Sequence, residues 1–174
     1  MNQQTANIAT VAIALCALLL SIWQGYLQRQ HDHVSLEPRV NAYFKTDART
    51  DQWGIYVFNN GMGPAYIESL DVLVDGKPMP EGNTGKFGSS LLPLGLDPSC
   101  FTVGGPRPND SLIVGEEIAL IEASKSAPAA CSPYLNMLLA AARDKIDFTL
   151  VIKSIYGDRF EYKFKENIQR PLWL

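Results

Sequence analysis

The run Phe148-Thr149-Leu150-Val151-Ile152-Lys153-Ser154-Ile155-Tyr156-Gly157-Asp158-Arg159-Phe160-Glu161-Tyr162-Lys163-Phe164-Lys165 decides the fold class. Its first part alternates Phe148, Leu150 and Ile152 with Thr149, Val151 and Lys153; its last part alternates Phe160, Tyr162 and Phe164 with Arg159, Glu161, Lys163 and Lys165. Side chains two apart in an extended chain share a face, so apolar residues at period two mark a strand with one side in a core. A two-residue turn at Gly157-Asp158, opening with a glycine that accepts positive φ, joins the two runs into an antiparallel hairpin. The second strand, apolar on one face and charged on the other, expects core beneath it and water above.

Upstream, residues 132–145 hold one helix. Ser132 caps it, Pro133 lies in the first turn, and Leu135, Leu138, Leu139 and Ala142 fall on one face. Before it, Leu112-Ile113-Val114, a Gly115-Glu116-Glu117 turn and Ile118-Ala119-Leu120-Ile121 read as strands of the kind found in immunoglobulin-like sandwiches. Residues 77–109, rich in Gly and Pro, read as loops around short edge strands. Asp75-Gly76 ends a run over 65–74, Asn59-Asn60-Gly61-Met62-Gly63-Pro64 is a loop, and residues 53–58 form an aromatic and β-branched run. Val40, Ala42 and Phe44 begin the series. Roughly seven short strands and one inserted helix specify a mainly β fold, an immunoglobulin-like antiparallel β-sandwich over residues 39–170. Residues 171–174, Pro-Leu-Trp-Leu, form an apolar tail that packs on the domain or touches a partner.

The other end of the chain is different in kind. After a short polar stretch, 1–7, residues 8–27 pass without a charged side chain and are apolar on every face. About twenty helical residues at ~1.5 Å each cross the ~30 Å hydrocarbon layer of a bilayer. Trp23 and Tyr26 suit the headgroup level, with Arg29 just beyond. A cleaved signal peptide fits less well, because residues 1–7 carry no Lys or Arg and no small-x-small site follows. A lipoprotein signal fails at Leu15, which stands before Cys16. A buried soluble helix of this length would be amphipathic. The expectation is a transmembrane helix that contacts the lipid bilayer through residues 8–27. Ala17, Ser21 and Gly25 recur every fourth residue, a small-residue stripe along which two copies could approach as a homodimer.

The domain's side of the membrane draws two opposed signals. No Lys or Arg precedes the span, whereas Arg29, Arg39 and Lys45 follow it, which favours a cytoplasmic domain. Cys100 and Cys131, the two cysteines of the domain, could pair in an oxidising compartment. The charge count carries the greater weight here, so the cytoplasm is favoured over the periplasm.

Residues 28–38 read as a juxtamembrane connector. If extended, it points His31 and His33 the same way, but no third or fourth ligand accompanies them, so no metal is expected. Neither Gly85-Lys86-Phe87 nor Gly61-Met62-Gly63 carries the spacing of a nucleotide loop, and no cofactor is expected. There is no nucleophile elbow and no histidine within residues 39–170. Asp71, Asp147, Asp158, Glu161 and Glu166 are expected mostly on solvated faces. An enzyme is therefore not expected. With a net charge of -3 and no basic run, nucleic acid is not an expected partner.

One amino-terminal span, His31, Ser35 and Pro38 in the connector, the turn Asn59-x-Gly61-x-Gly63-Pro64-Ala65 and the late pair Tyr156-Gly157 together resemble small, uncharacterised bacterial single-pass membrane-anchored β-sandwich proteins. That resemblance implies a signal-anchored sandwich at the bacterial inner (cytoplasmic) membrane and names no activity. The expected function is an accessory binding or adaptor domain that holds a protein partner at the membrane. The alternative is a ligand-sensing extracytoplasmic domain with a Cys100-Cys131 disulfide.

Overall fold

A computed structural model of the protein describes residues 3–47, 49–50 and 52–172. Contacts divide the chain into two units, one up to Ser35 and one from Leu36 onward. In the first, α1 (Gln3–Ser35) is a single helix of 33 residues, about 50 Å long at 1.5 Å per residue. Its apolar stretch exposes Ile8, Val11, Ile13, Leu18, Leu19 and Ile22 and is long enough to cross a membrane. The helix does not stop at Gly25 or Leu27. It runs on through the polar residues 28–35, where Gln30 donates to the Tyr26 hydroxyl and the Ser35 hydroxyl to the Asp32 carbonyl. The connector is therefore helical up to Ser35, and His31 and His33, about 200° apart around the axis, do not share a face.

The second unit is built on two antiparallel sheets. The first orders β1 (Val40–Asp47), β2 (Gln52–Asn59), β7 (Glu117–Ala123) and β5 (Phe101–Val103) as β1-β2-β7-β5. The second orders β10 (Ile168–Pro171), β9 (Arg159–Lys163), β8 (Ile146–Lys153), β3 (Ala65–Val74) and β4 (Lys77–Pro78) as β10-β9-β8-β3-β4, and β6 (Ser111–Leu112) also pairs with β3. One buried cluster draws on both sheets. Ile55 and Val57 come from the first; Ile67, Val72, Phe148, Leu150, Ile152 and Tyr162 come from the second. Each such side chain, fully buried, contributes roughly 1.5–3 kcal/mol, so the two inner faces dominate stability. Phe148 is central: its ring stacks on Phe164 at 4.7 Å and meets Phe87 edge-on at 5.5 Å.

Buried and half-buried hydrogen bonds tie the first strand to the second sheet. The Ala42 N–H donates to the Tyr162 hydroxyl at 2.9 Å, and that hydroxyl donates to Asn167. The Val40 N–H donates to the Gln169 side chain, whose amide nitrogen donates to the Pro38 carbonyl. These bonds occupy outward N–H groups of an edge strand that would otherwise invite another chain.

The strand pairings shift register at two places, and both are bulges. Glu68 is the extra residue where β3 meets β8, between Ile67 and Ser69. In the pairing of β2 with β7 the register shifts between Ile55 and Tyr56 and leaves Leu120 unopposed, so Leu120 and Ile121 are both buried.

Between β4 and β5 the chain forms α2 (Gly85–Leu91), a helix where the sequence suggested only loops. Its two glycines and two serines lower helix propensity, and no side chain caps it; burial of Phe87 and Leu91 holds it. The expected second helix is α3 (Ser132–Asp144). Cys131, with no capping side-chain bond, precedes it, and Ser132 is its first helical residue. Leu138, Ala141 and Ala142 are its buried residues and Leu135 packs half-buried on the core, while Leu139 is exposed, so the expected apolar face keeps three of its four residues and takes Ala141 in place of Leu139. The expected strand over 112–114 shortens to β6, because Ile113 and Val114 enter the turn that Gly115 closes at φ +78°. The tail's Trp173 and Leu174 lie outside the described residues.

The β8–β9 hairpin has a longer loop than two residues. Ser154 pairs with Asp158 through its N–H at 2.8 Å, and the Gly157 N–H donates to the Ser154 carbonyl at 3.0 Å. Ile155, Tyr156 and Gly157 are thus a three-residue loop with Gly157 at φ +88°, the position at which such loops favour glycine. Nothing lies within 4 Å of a Cβ built there, so a side chain meets strain and no clash. Gly157→Val should destabilise the domain by about 1–2 kcal/mol, lowering the thermal midpoint by several degrees while leaving the β-type circular dichroism unchanged. An unchanged midpoint would show that the loop does not need positive φ.

Candidate functional site

Three arrangements in the domain carry chemistry beyond core packing. The first is centred on the cysteines. Pro98–Cys100 is a turn of 3-10 helix capped by Asp97, whose carboxylate accepts the Ser99 N–H at 2.9 Å. Ala129–Cys131 is a second such turn leading into α3. Cys100 and Cys131 meet there in a disulfide with Cα atoms 5.5 Å apart, and both are buried. The Ser124 N–H donates to the Cys100 carbonyl, which draws the chain after β7 over the bond. Beside it lies a cleft of about 190 Å³, walled by Trp53, Lys125, Ala127, Pro128, Ser132 and Leu135. That volume is below the roughly 300 Å³ at which drug-sized ligands begin to fit, so the cleft suits a single side chain or a very small molecule.

The second arrangement stands on the outer face of the first sheet. Cross-strand register puts Tyr43 opposite Tyr56 and Asn41 opposite Phe58. Tyr43 stacks near Tyr56 at 6.3 Å and meets Phe58 edge-on at 5.4 Å. The Tyr56 hydroxyl donates to Glu122 at 2.7 Å, and the Tyr43 hydroxyl donates to Glu117. Lys45 pairs with Glu117 at 3.0 Å and lies over the Tyr56 ring at 5.3 Å. Burial, then the hydrogen bond to Glu117, push the Tyr43 hydroxyl up to about 12. Burial and Glu122 raise Tyr56 as well. Both phenols stay protonated donors across the physiological range. Two hydroxyl–carboxylate bonds fix the tyrosines: Tyr56 is buried, and Tyr43, 36% exposed beside half-buried Phe58, is the pre-ordered ring of a kind that anchors protein contacts.

The third arrangement is structural. Asn59 is fully buried and uses its whole side-chain amide: its oxygen accepts the N–H groups of Arg39 (3.2 Å) and Gly61 (3.0 Å), and its nitrogen donates to the carbonyls of Gly63 (2.8 Å) and Leu112 (3.0 Å). A Cβ on Gly63 would overlap the Leu36 carbonyl, and one on Gly61 would crowd Glu37, Pro38 and Arg39. Neither glycine has positive φ; each is required because residues 36–39 pass against it.

The carboxylates singled out in the sequence do not converge. Asp71 is exposed and pairs with Lys86 at 2.8 Å. Asp147 accepts the N–H groups of Phe148 and Lys165, Asp158 accepts from Ser154, and Glu161 and Glu166 face Lys163 and Arg170. Among the described residues, no three His, Cys, Asp or Glu side chains gather as metal ligands.

The bulge at Glu68 turns its carboxylate between Lys153 and Arg159, the latter at 2.6 Å. Hydrogen bonds from Lys153 and then Arg159 hold its carboxyl below the ordinary value of 4.5. A carboxylate with a depressed folded pKa contributes stability that is present above 4.5 and is lost as pH falls through the folded value. Glu68→Gln should therefore flatten the acid side of the stability profile below about pH 4.5. Thermal midpoints of both proteins between pH 3 and 7 measure this; parallel acid curves would remove Glu68 from the account.

Comparison of the chain with protein-family models, with curated proteins and with solved structures finds no match.

Proposed function

We propose that the chain is a bacterial single-pass inner-membrane protein whose immunoglobulin-like domain acts as an accessory binding or adaptor module for a protein partner. It would belong with the small membrane-anchored β-sandwich proteins it resembles. The strand orders support the fold assignment: with β1, β2, β3, β5, β7, β8 and β9 taken as A to G, β1-β2-β7-β5 and β9-β8-β3 follow the ABED and GFC sheets of that architecture. The helix α2 then lies in the C–D link and α3 in the E–F link.

The observation that carries the binding role is exposed Tyr43 on the outer face of the ABED sheet, held in place by buried Tyr56, half-buried Phe58 and its bond to Glu117. A photo-crosslinking residue at position 43 of the full chain, expressed in cells, should give a discrete adduct, and one at position 86 should not. Absence of any adduct at 43, or the same adducts at both positions, would contradict the reading.

A second reading has its own support. The Cys100-Cys131 bond and the cleft beside it favour a ligand-sensing domain on the oxidising side, against the cytoplasmic placement drawn from Arg29, Arg39 and Lys45. Thiol labelling under denaturing conditions separates the two: free domain cysteines support the cytoplasmic adaptor, and blocked ones released by reductant support the extracytoplasmic sensor.

A further inference from the structure

Several loops gather at the end of the domain where the chain arrives from α1. The Met62 N–H donates to the Glu37 carbonyl, the Asn59 N–H to Glu116, and the Gly115 N–H to the Asn59 carbonyl, so the loops 59–64 and 113–116 are bonded together beside residues 36–39. Tyr66, near the start of β3, lies opposite Ser111 on one side and Lys153 on the other, which brings the loop 154–158 to the same end. The Leu172 N–H reaches the Arg159 carbonyl there as well.

This end is unusually apolar for a solvated loop cluster. Met62 is 71% exposed, Ile113 58%, Ile155 53% and Val114 48%, with Tyr66 and Tyr156 also exposed. Arg39, its side chain 70% exposed, stands among them and pairs with the less exposed Glu37 at 3.8 Å. Aliphatic tips, tyrosines and an arginine together make the composition of a headgroup-level surface. The tether argues for the same occupant. Leu36 follows the last residue of α1 directly, and only residues 28–35, about 12 Å of helix, separate the apolar stretch from it.

We infer that this end of the domain seats on the lipid headgroup layer through Met62, Ile113, Val114, Ile155 and Tyr156. The inference rests on the membrane-anchored reading above. Seating would leave the outer face of the first sheet free for a partner and would limit the domain's motion about its tether.

The test uses the full chain in nanodiscs of phosphatidylcholine and phosphatidylglycerol. A fluorophore is placed on native Cys16, or, in a Cys16→Ala background, on Met62→Cys, Val114→Cys, Ile155→Cys or Arg49→Cys. Position 49 lies in the β1–β2 turn at the opposite end. A nitroxide on the lipid headgroup should quench the labels at 62, 114 and 155 severalfold more than the label at 49. A nitroxide on the acyl chain should quench the label at 16. Quenching at 62, 114 and 155 no stronger than at 49 would overturn the inference while leaving the anchor intact. An unquenched label at 16 would overturn the anchored reading and the inference with it.

Discussion

Asn59→Ala should lower the thermal midpoint of the domain by more than ten degrees. The substitution removes four hydrogen bonds at once and leaves the N–H groups of Arg39 and Gly61 and the carbonyls of Gly63 and Leu112 without their partner. A buried polar group left unpaired costs about 1–3 kcal/mol, and even partial rescue by water leaves a loss on the order of 4 kcal/mol. At roughly 3–5 °C per kcal/mol for a domain of this size, the expected shift follows. Gly63→Ala should act through the same joint for a different reason, since its Cβ would displace the backbone at Leu36. Differential scanning calorimetry of both variants is the measurement. A midpoint within two or three degrees of the parent for Asn59→Ala would show that the joint does not hold the two sheets' loops together.

The double replacement Cys100→Ser, Cys131→Ser is expected to be the next largest effect. The bond closes a loop with a sequence separation of 31, for which loop-closure entropy gives roughly 3–4 kcal/mol. It also anchors the first turn of α3 to the start of β5, so its loss should loosen that helix before the sheets. Denaturant titration should show the midpoint reduced by a corresponding amount, and treatment of the parent with reductant should reproduce it. If the double variant matched the parent in both midpoint and slope, the two cysteines would be ordinary buried apolar residues.

The hairpin around Gly157 was legible because local pattern and tertiary burial agree there: Phe148, Leu150, Ile152, Phe160 and Tyr162 are all buried, and period two is unbroken. Its loop was misjudged by one residue, since the pairing of Ser154 with Asp158 depends on the Ser154 side chain, which also receives the N–H groups of Tyr156 and Asp158. The helix α2 was hidden because its sequence disfavours helix and only distant packing of Phe87 and Leu91 selects it. Glu68 and Leu120 broke the alternation because a bulge has no signature in a single strand; it needs the partner's register. The Asn59 loop was visible as a turn, but its partners Arg39 and Leu112 lie 20 and 53 residues away in sequence. The cluster of Tyr43, Tyr56 and Phe58 likewise emerges only once β1, β2 and β7 are placed side by side.

The proposed attachment of a folded two-sheet domain to a membrane through α1 can be measured by washing membranes from expressing cells in alkaline carbonate, for the full chain and for a chain beginning at Leu36. The full chain should stay with the membranes, and the shorter chain should appear in the soluble fraction with β-type circular dichroism and a cooperative melt. Release of the full chain by carbonate, or a shorter chain that is soluble only when unfolded, would contradict it.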